Sequence, residues 1–532
     1  MTHPLPEPSP RRSWLDVLPY VAFAIYVAMT LILIPRHELW RDEAADWLYT
    51  RWGTSLAAVL HDLGWQMDPG AWHIALYFLA KVFPTPLAMQ FFHSLMAVVG
   101  VYLFIRHSPF SRLEKVLYPF GFLVAFEYNI VARNYVPILL FLCGAATLYP
   151  QRFQRPWMYV LMLGLMAQSH MFGTIFAGML VLLYGAELAL AHRLRWQSYA
   201  PYLAPLFLLG LVFLWTLYQL LPFQEVRQIL KGGGEIDYFQ TARGVILRMI
   251  APVVKPRYYF WPVSTVSDQH STLLAALYLA GILYLVHIRP VPFLYFLGTG
   301  ALFVEMLVFH GSVLRFIGML WLLLIFTLWI SSCYPIPRAW ASTRWARAYP
   351  RVRAVILATF LLLQAVGTPT AFWMDFHHPF SGGKETARFL NAYLQDTNVL
   401  VGTLLSYAPQ SIQPYLRPDL PPFYCIEQER FYQGLINDTA WYKNDKKVSP
   451  LEALHRLFRA YDAGSYKQVL LITLLPLQAP GIRILGLFPP DQRVLCGDES
   501  FFVHELDMPV LRAHLPPTGQ DKDGPESAPR GR

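Results

Sequence analysis

A chain of 532 residues that is 55% hydrophobic, 15% aromatic and only 14% charged is not built like a soluble domain, where about a quarter of residues carry charge. Its repeated apolar runs reach spanning length, so it reads as a polytopic α-helical membrane protein. The formal charge of +9 does not point to nucleic acid, because most of the excess lies in short loops between apolar runs, where it sets topology.

The first span, 16–35, follows Arg11 and Arg12 and lacks a small-residue cleavage site, so it is expected to stay as an anchor. The chain then reads "LWRDEAADWLYTRW" (39–52). Two adjacent carboxylates, Asp42 and Glu43, sit there among aromatic rings. They could simply open a helix, since acidic residues favour a first turn. They could also do chemistry, one as a general base and its neighbour orienting an acceptor or holding a divalent cation, Mg or Mn. The next apolar stretch, 71–83, is too short to span and contains Lys81, which fits an interfacial or re-entrant helix. Ten further spans are expected at 86–105, 115–131, 135–150, 157–169, 172–191, 199–221, 271–288, 290–309, 316–331 and 353–372, giving about 11 transmembrane helices.

Alternate connections carry the basic residues: Arg106, Arg112 and Lys115; Arg152 and Arg155; Arg193 and Arg195; Arg289; and Arg338 through Arg353. They share the side of Arg11 and Arg12, which the positive-inside rule makes cytoplasmic. The other face then collects Asp42, Glu43 and the segments "EYNIVARNY" (127–135), "SHMFG" (169–173) and "HGSVLR" (310–315), with the long 222–270 connection. Arg133 is a charge at a membrane edge and a site candidate on that ground; Glu127, six residues earlier, could pair with it. His170 ends a span and could be a packed interfacial residue. His310 and Arg315 repeat the pattern, and a cation there suits a lipid phosphate. In 222–270, Lys255 and Arg257 stand beside an aromatic run, suited to the headgroup level. Zinc spacing, a nucleophile elbow, a Walker loop and a dinucleotide fingerprint are all missing from the sequence.

Residues 374–512 change character: mixed charge, several prolines, and strand-like runs "NVLVGTLL" and "QVLLITLL" between helical stretches. They read as a small extracytoplasmic α/β domain after a transmembrane domain, 1–373, with a disordered Pro- and Gly-rich tail, 513–532. Cys143 and Cys333 read as packing residues. A disulfide between Cys425 and Cys496 is open.

Taken in order, these segments resemble the membrane glycosyltransferases of the GT-C fold, in the branch of protein O-mannosyltransferases, aminoarabinose transferases and bacterial glycosyltransferase family 39-like proteins. "WRDEA" (40–44) resembles the family's W-x-D-E-A, and "FEYNIVARNY" (126–135) its Y-E-Y-x-x-x-A-R-N-Y. "SHMFG" is similar to an outer H-x-x-G, and "FSGGKETARFL" (380–390) to the start of the soluble domain. "DPGAWHIALYF" (68–78) is a weaker echo of D-x-H-P-P-L-Y-Y. It offers Asp68 and His73, but of the paired prolines only Pro69 is near. The resemblance implies a transferase in the cytoplasmic (inner) membrane that uses a polyprenyl-phosphate-linked sugar and an acceptor glycan, lipid or protein on the extracytoplasmic side. Asp42 would be the base or a metal-associated carboxylate with Glu43 beside it, Arg133 and Arg315 would contact the donor phosphate, and the reaction would invert. Asp46 matches no motif of the family and is expected to matter little. A transporter or flippase of a lipid-linked intermediate, or a non-catalytic scaffold of this fold, are the alternatives.

Overall fold

The computed structural model describes residues 14–66, 68–192, 196–221, 284, 289–310, 314–395, 398–404, 406, 409–435, 448–492 and 499–514. In chain order the first ten helices are α1 (Leu18–Leu33), α2 (Arg41–Trp52), α3 (Leu56–Asp62), α4 (Ala71–Val82), α5 (Pro86–His107), α6 (Arg112–Leu117), α7 (Val136–Leu148), α8 (Pro156–Ala167), α9 (Met171–His192) and α10 (Ala200–Gln219). After them come α11 (Pro290–His310), α12 (Leu314–Ser331), α13 (Arg338–Ala341) and α14 (Arg344–His377). Among the described residues, five helices are long and apolar enough to cross a membrane: Trp14–Leu33, Pro86–His107, Met171–Ala191, Gln197–Gln219 and Arg344–His377. Shorter apolar helices include Ala71–Val82, Val136–Gln151, Pro156–Ala167 and Gly318–Ser331. Most of the expected span 271–288, and the long connection before it, lie outside the described residues.

One expected span takes another form. The stretch 115–131 is not a continuous helix. α6 stops at Leu117, a 3-10 turn runs over Tyr118–Phe120, and a π-helical turn covers Leu123–Glu127. Pro119 lacks the N–H a helix needs. Irregular backbone survives among apolar helices only where protein groups satisfy it, and here they do. Gln364 of α14 accepts from Leu123 N–H at 3.2 Å, the Thr368 hydroxyl donates to the Phe120 carbonyl at 2.7 Å, and Ser94 of α5 donates to the Asn129 carbonyl at 2.6 Å. Hydropathy sees an apolar run; the polar side chains that let it bend come from other helices. The result is a buried, broken segment at the centre of the bundle, with Phe122, Phe126 and Tyr128 at most 1% exposed.

After α14 the chain forms α15 (Gly383–Tyr393), β1 (Val399–Thr403), β2 (Phe423–Cys425), β3 (Arg430–Tyr432), α16 (Pro450–Ala463), β4 (Gln468–Thr473), β5 (Ile482–Phe488), β6 (Phe501–Leu506) and α17 (Met508–His514). The strands make one six-stranded sheet in the order β3-β2-β1-β4-β6-β5. Its centre is parallel, β1 pairing with β2 and β4, and its edges are antiparallel. Strands buried on both faces read as unbroken apolar runs, which is why "VLVGT" and "VLLI" do not alternate. Val399 and Val401 point to the side packed by α15, and Leu400 to the side packed by α16. Cys425 is buried in β2; Cys496 and the tail after 514 lie outside the described residues.

Candidate active site

The "WRDEA" stretch does open a helix. Trp40 is extended (φ −90°, ψ 174°) and α2 starts at Arg41. Glu43 reaches back to accept from Trp40 N–H at 3.2 Å, the reciprocal half of a capping box. Its other oxygen accepts from Ala132 N–H at 2.5 Å. His37 completes the enclosure: Nε2 lies 3.2 Å from Glu43 and Nδ1 3.0 Å from Asp375 at the end of α14. Burial opposes a charge on His37, yet Asp375 and Glu43 outweigh it and push the imidazole up to about 10. His37 is therefore an imidazolium donating to both carboxylates, and fully buried Glu43 is fixed by three donors.

Asp42, one residue earlier on α2, is partly open, its side chain 18% exposed. Its Oδ2 lies 2.9 Å from Nη2 of Arg315 and its Oδ1 3.9 Å from Nε of Arg41. Arg133 donates to the Asp42 carbonyl. The Arg315 guanidinium also lies over the Trp40 ring, 5.0 Å from its centroid. Two guanidinium groups thus face this accessible carboxylate, and a third holds the backbone carbonyl of the same residue.

Asp46, expected to be uninvolved, is a member of the site. It faces the same side one helical turn later and is wholly buried. Trp72 Nε1 donates to it at 3.1 Å, His73 Nε2 is 3.5 Å away, and Arg133 Nη1 3.7 Å. Burial would raise its carboxyl, but Arg133, His73 and Trp72 together hold it below the usual range. Next to this group, Asp68 lies 3.8 Å from His170. Burial pushes the Asp68 carboxyl up to about 6, with His73 and Arg133 opposing. His170 takes the edge of the Tyr135 ring at 5.0 Å. Glu127 is buried within electrostatic reach of Arg315 and Glu43.

The helices explain the common location. α2, α4, α7, α9 and α12 all begin here: Arg41 opens α2, His73 is in the first turn of α4, Arg133 and Tyr135 precede α7, His170 precedes α9, and Arg315 is in the first turn of α12. Direct contacts join them in one cluster. Five helix N-termini each direct partial positive charge at one place. Three arginines, Arg41, Arg133 and Arg315, meet the carboxylates of Asp42 and Asp46 there.

Asp42, Glu43, Asp68, His73, Glu127, Arg133, His170 and Arg315 all meet here. His310 ends α11, and Lys255 and Arg257 lie outside the described residues. His37, Asp375 and Glu499 were not singled out in the sequence, and Asp46 was expected to matter little. A weak signal existed for His37 in "RHELW", a charge-rich exit from a span; Asp375 is 338 positions from its partner, and no local pattern reports that. A metal shared by Asp42 and Glu43 does not fit these residues. Glu43 has its oxygens occupied by N–H donors and Asp42 faces arginines, and among the described residues no group of three or more metal-binding side chains occurs.

Fold and site together describe a helical protein with membrane-length apolar helices, a C-terminal sheet domain, and a cluster of charged side chains where helix N-termini converge. No protein-family model matches the chain, and no curated protein matches it. Among solved structures it is similar to ArnT from Cupriavidus metallidurans in the apo state, at 11% identity over 91% of this chain and 97% of that one, with a TM-score of 0.49. The same protein bound to undecaprenyl phosphate is similar at 11% identity over the same shares, with a TM-score of 0.48.

Proposed function

We propose that this protein is an integral-membrane glycosyltransferase that moves a sugar from a polyprenyl-phosphate carrier to an acceptor hydroxyl on the extracytoplasmic side of the cytoplasmic membrane. The observation that carries this is the Asp42–Arg315 contact of 2.9 Å, with Arg41 and Arg133 beside it where helix N-termini converge. A base and a phosphate site are adjacent, as the reaction requires. In the free protein Asp42 occupies the guanidinium of Arg315. When donor binds, its phosphate takes Arg315 and Arg133, and the Asp42 carboxylate is released toward the acceptor.

Asp42 then accepts the proton of the acceptor hydroxyl. The hydroxyl oxygen forms a bond to the anomeric carbon from the face opposite the carrier, and the bond from that carbon to the phosphate oxygen breaks. The electron pair leaves on polyprenyl phosphate, stabilised by the arginines and the helix N-termini, and the configuration inverts. Glu43 acts through position: locked by His37, Trp40 and Ala132, it holds the turn that carries Asp42. Asp46, itself beside His73, holds Arg133. No step requires a metal.

The test uses purified protein in proteoliposomes with a polyprenyl-phosphate-linked sugar and an extract of envelope acceptors. The expected result is free polyprenyl phosphate formed in equal amount to glycosylated product. Movement of intact donor across the bilayer without cleavage would favour the transporter, and neither cleavage nor movement would favour the scaffold.

A further inference from the structure

We infer that the C-terminal sheet domain is a positioning element of the active site, acting through Glu499 and Tyr415 on residues 37–41. Helix α2 begins at a poor place. Its N-cap residue is Trp40, whose indole offers no oxygen to accept from first-turn N–H groups, and such groups need partners. Glu43 serves Trp40 N–H from within the helix. The next one, Arg41 N–H, is served by Glu499 Oε1 at 2.6 Å, from 458 positions away. Glu499 is therefore an N-terminal cap supplied from a distant part of the same chain, and the residue after the capped amide is Asp42.

The preceding residues are held from the same direction. Leu39 N–H donates to the Tyr415 hydroxyl oxygen at 2.8 Å. The Glu38 carboxylate accepts from Ser381 N–H at 3.3 Å. Ser381 also donates its hydroxyl to the second oxygen of Glu499 and accepts from Gly383 N–H at 3.0 Å. Glu499 and Ser381 are 4% and 0% exposed, so these bonds are shielded from competing water. The paired glycines of "FSGGKE" make the arrangement possible. A Cβ on Gly382 would stand 2.0 Å from the Phe488 carbonyl and 2.7 Å from that of Glu499; one on Gly383 would stand 2.4 Å from the Ser411 carbonyl. Without side chains the loop lies flat against the sheet domain, and Ser381 reaches Glu499. The sheet domain thus sets where the catalytic turn begins, and a small shift of an acceptor or base is enough to cost about a hundredfold in rate.

This rests on the reading of Asp42 as the base, so the test pairs kinetics with a readout independent of transfer. Amide hydrogen exchange over Leu39–Ala45 and steady-state kinetics are compared in full-length wild type, Glu499→Ala, Glu499→Gln and Tyr415→Phe in proteoliposomes. In Glu499→Ala, protection of these amides should fall by about tenfold, and kcat by about 10- to 100-fold with donor KM within about twofold. Glu499→Gln keeps an accepting oxygen and should recover most of both. Tyr415→Phe, a milder loss should Glu499→Ala fail to fold, should show the same direction. Glu452→Gln on the far helix of the sheet domain is the control and should change neither. Wild-type exchange and wild-type kcat in Glu499→Ala and Tyr415→Phe would overturn the inference, as would lost protein with unchanged kcat per folded molecule. Raised exchange in a protein whose wild type transfers no sugar would keep the cap and reject the transferase.

Discussion

The same three helices carry a charged cluster at each end, and the two clusters are built differently. At the N-terminal ends of α7, α9 and α12 are Arg133, His170 and Arg315. At their C-terminal ends, about 20 Å away along α7, are Arg152, Glu187 and Tyr334. The second cluster is closed. Arg152 gives Glu187 two parallel hydrogen bonds of 2.8 and 3.0 Å and donates to the Tyr149 carbonyl at 2.7 Å. The Tyr334 hydroxyl donates to Glu187 and meets the Tyr149 hydroxyl at 2.6 Å. The first cluster is left incomplete. Among the described residues, buried His73 Nδ1, Arg133 Nε and Glu127 Oε2 have no hydrogen-bond partner, and Asp42 is partly open. A buried polar group without a partner costs stability.

The largest effect that would break or sharpen this contrast is on turnover. Asp42→Asn keeps the shape and removes the proton acceptor. Transfer should fall by about 10²–10⁴-fold, with melting temperature near wild type; wild-type transfer would remove Asp42 as the base. At the closed end the pattern should reverse. Glu187→Gln should cost about 3 kcal/mol of stability, read as a lower melting temperature, with unchanged turnover per folded molecule. Asp46→Asn should show both losses, because it leaves Arg133 without its buried carboxylate; behaviour like wild type in both assays would restore it as a bystander.

Arg315→Ala should weaken donor use by about 1.5–3 kcal/mol in kcat/KM, and Arg315→Lys should recover part, keeping charge but losing the planar fork. Equal kcat/KM in all three proteins would take Arg315 out of the phosphate site. The smallest effect is on pH. Asp68 has its carboxyl raised from 3.8 to about 6, so in that window the folded protein holds a proton the unfolded chain has lost. Stability should therefore fall as pH rises from 3.8 to about 6 and level off above. Asp68→Asn should remove that part of the slope, worth a few degrees in melting temperature; an identical slope in the variant would place the titration elsewhere.

Much of the site could be read along the chain because its members follow helix starts. Asp42, Arg133, His170 and Arg315 each sit at the edge of an apolar run, where a charge is costly or exposed and so stands out. The burial of Asp46 was not legible, for a physical reason. At the sequence level a carboxylate one turn beyond a functional one looks like a solvated helix face; only the packing of α4 against α2, which brings Trp72 and His73 to it, buries it. Glu43 was legible as important but not in what way, since its role depends on Ala132 N–H, 89 positions away.

Composition and hydropathy by themselves determined that this chain is a bundle of apolar helices with an α/β domain after it, because the burial of apolar side chains follows from periodicity and length alone. The fate of 115–131 was decided by tertiary structure, because a broken helix is stable only where Gln364, Thr368 and Ser94 supply the missing hydrogen bonds. So was the pairing of His37 with Asp375, and the capping of Arg41 by Glu499. A hydrogen bond needs its two atoms within about 3 Å, and nothing local tells a residue which of several hundred others will arrive there.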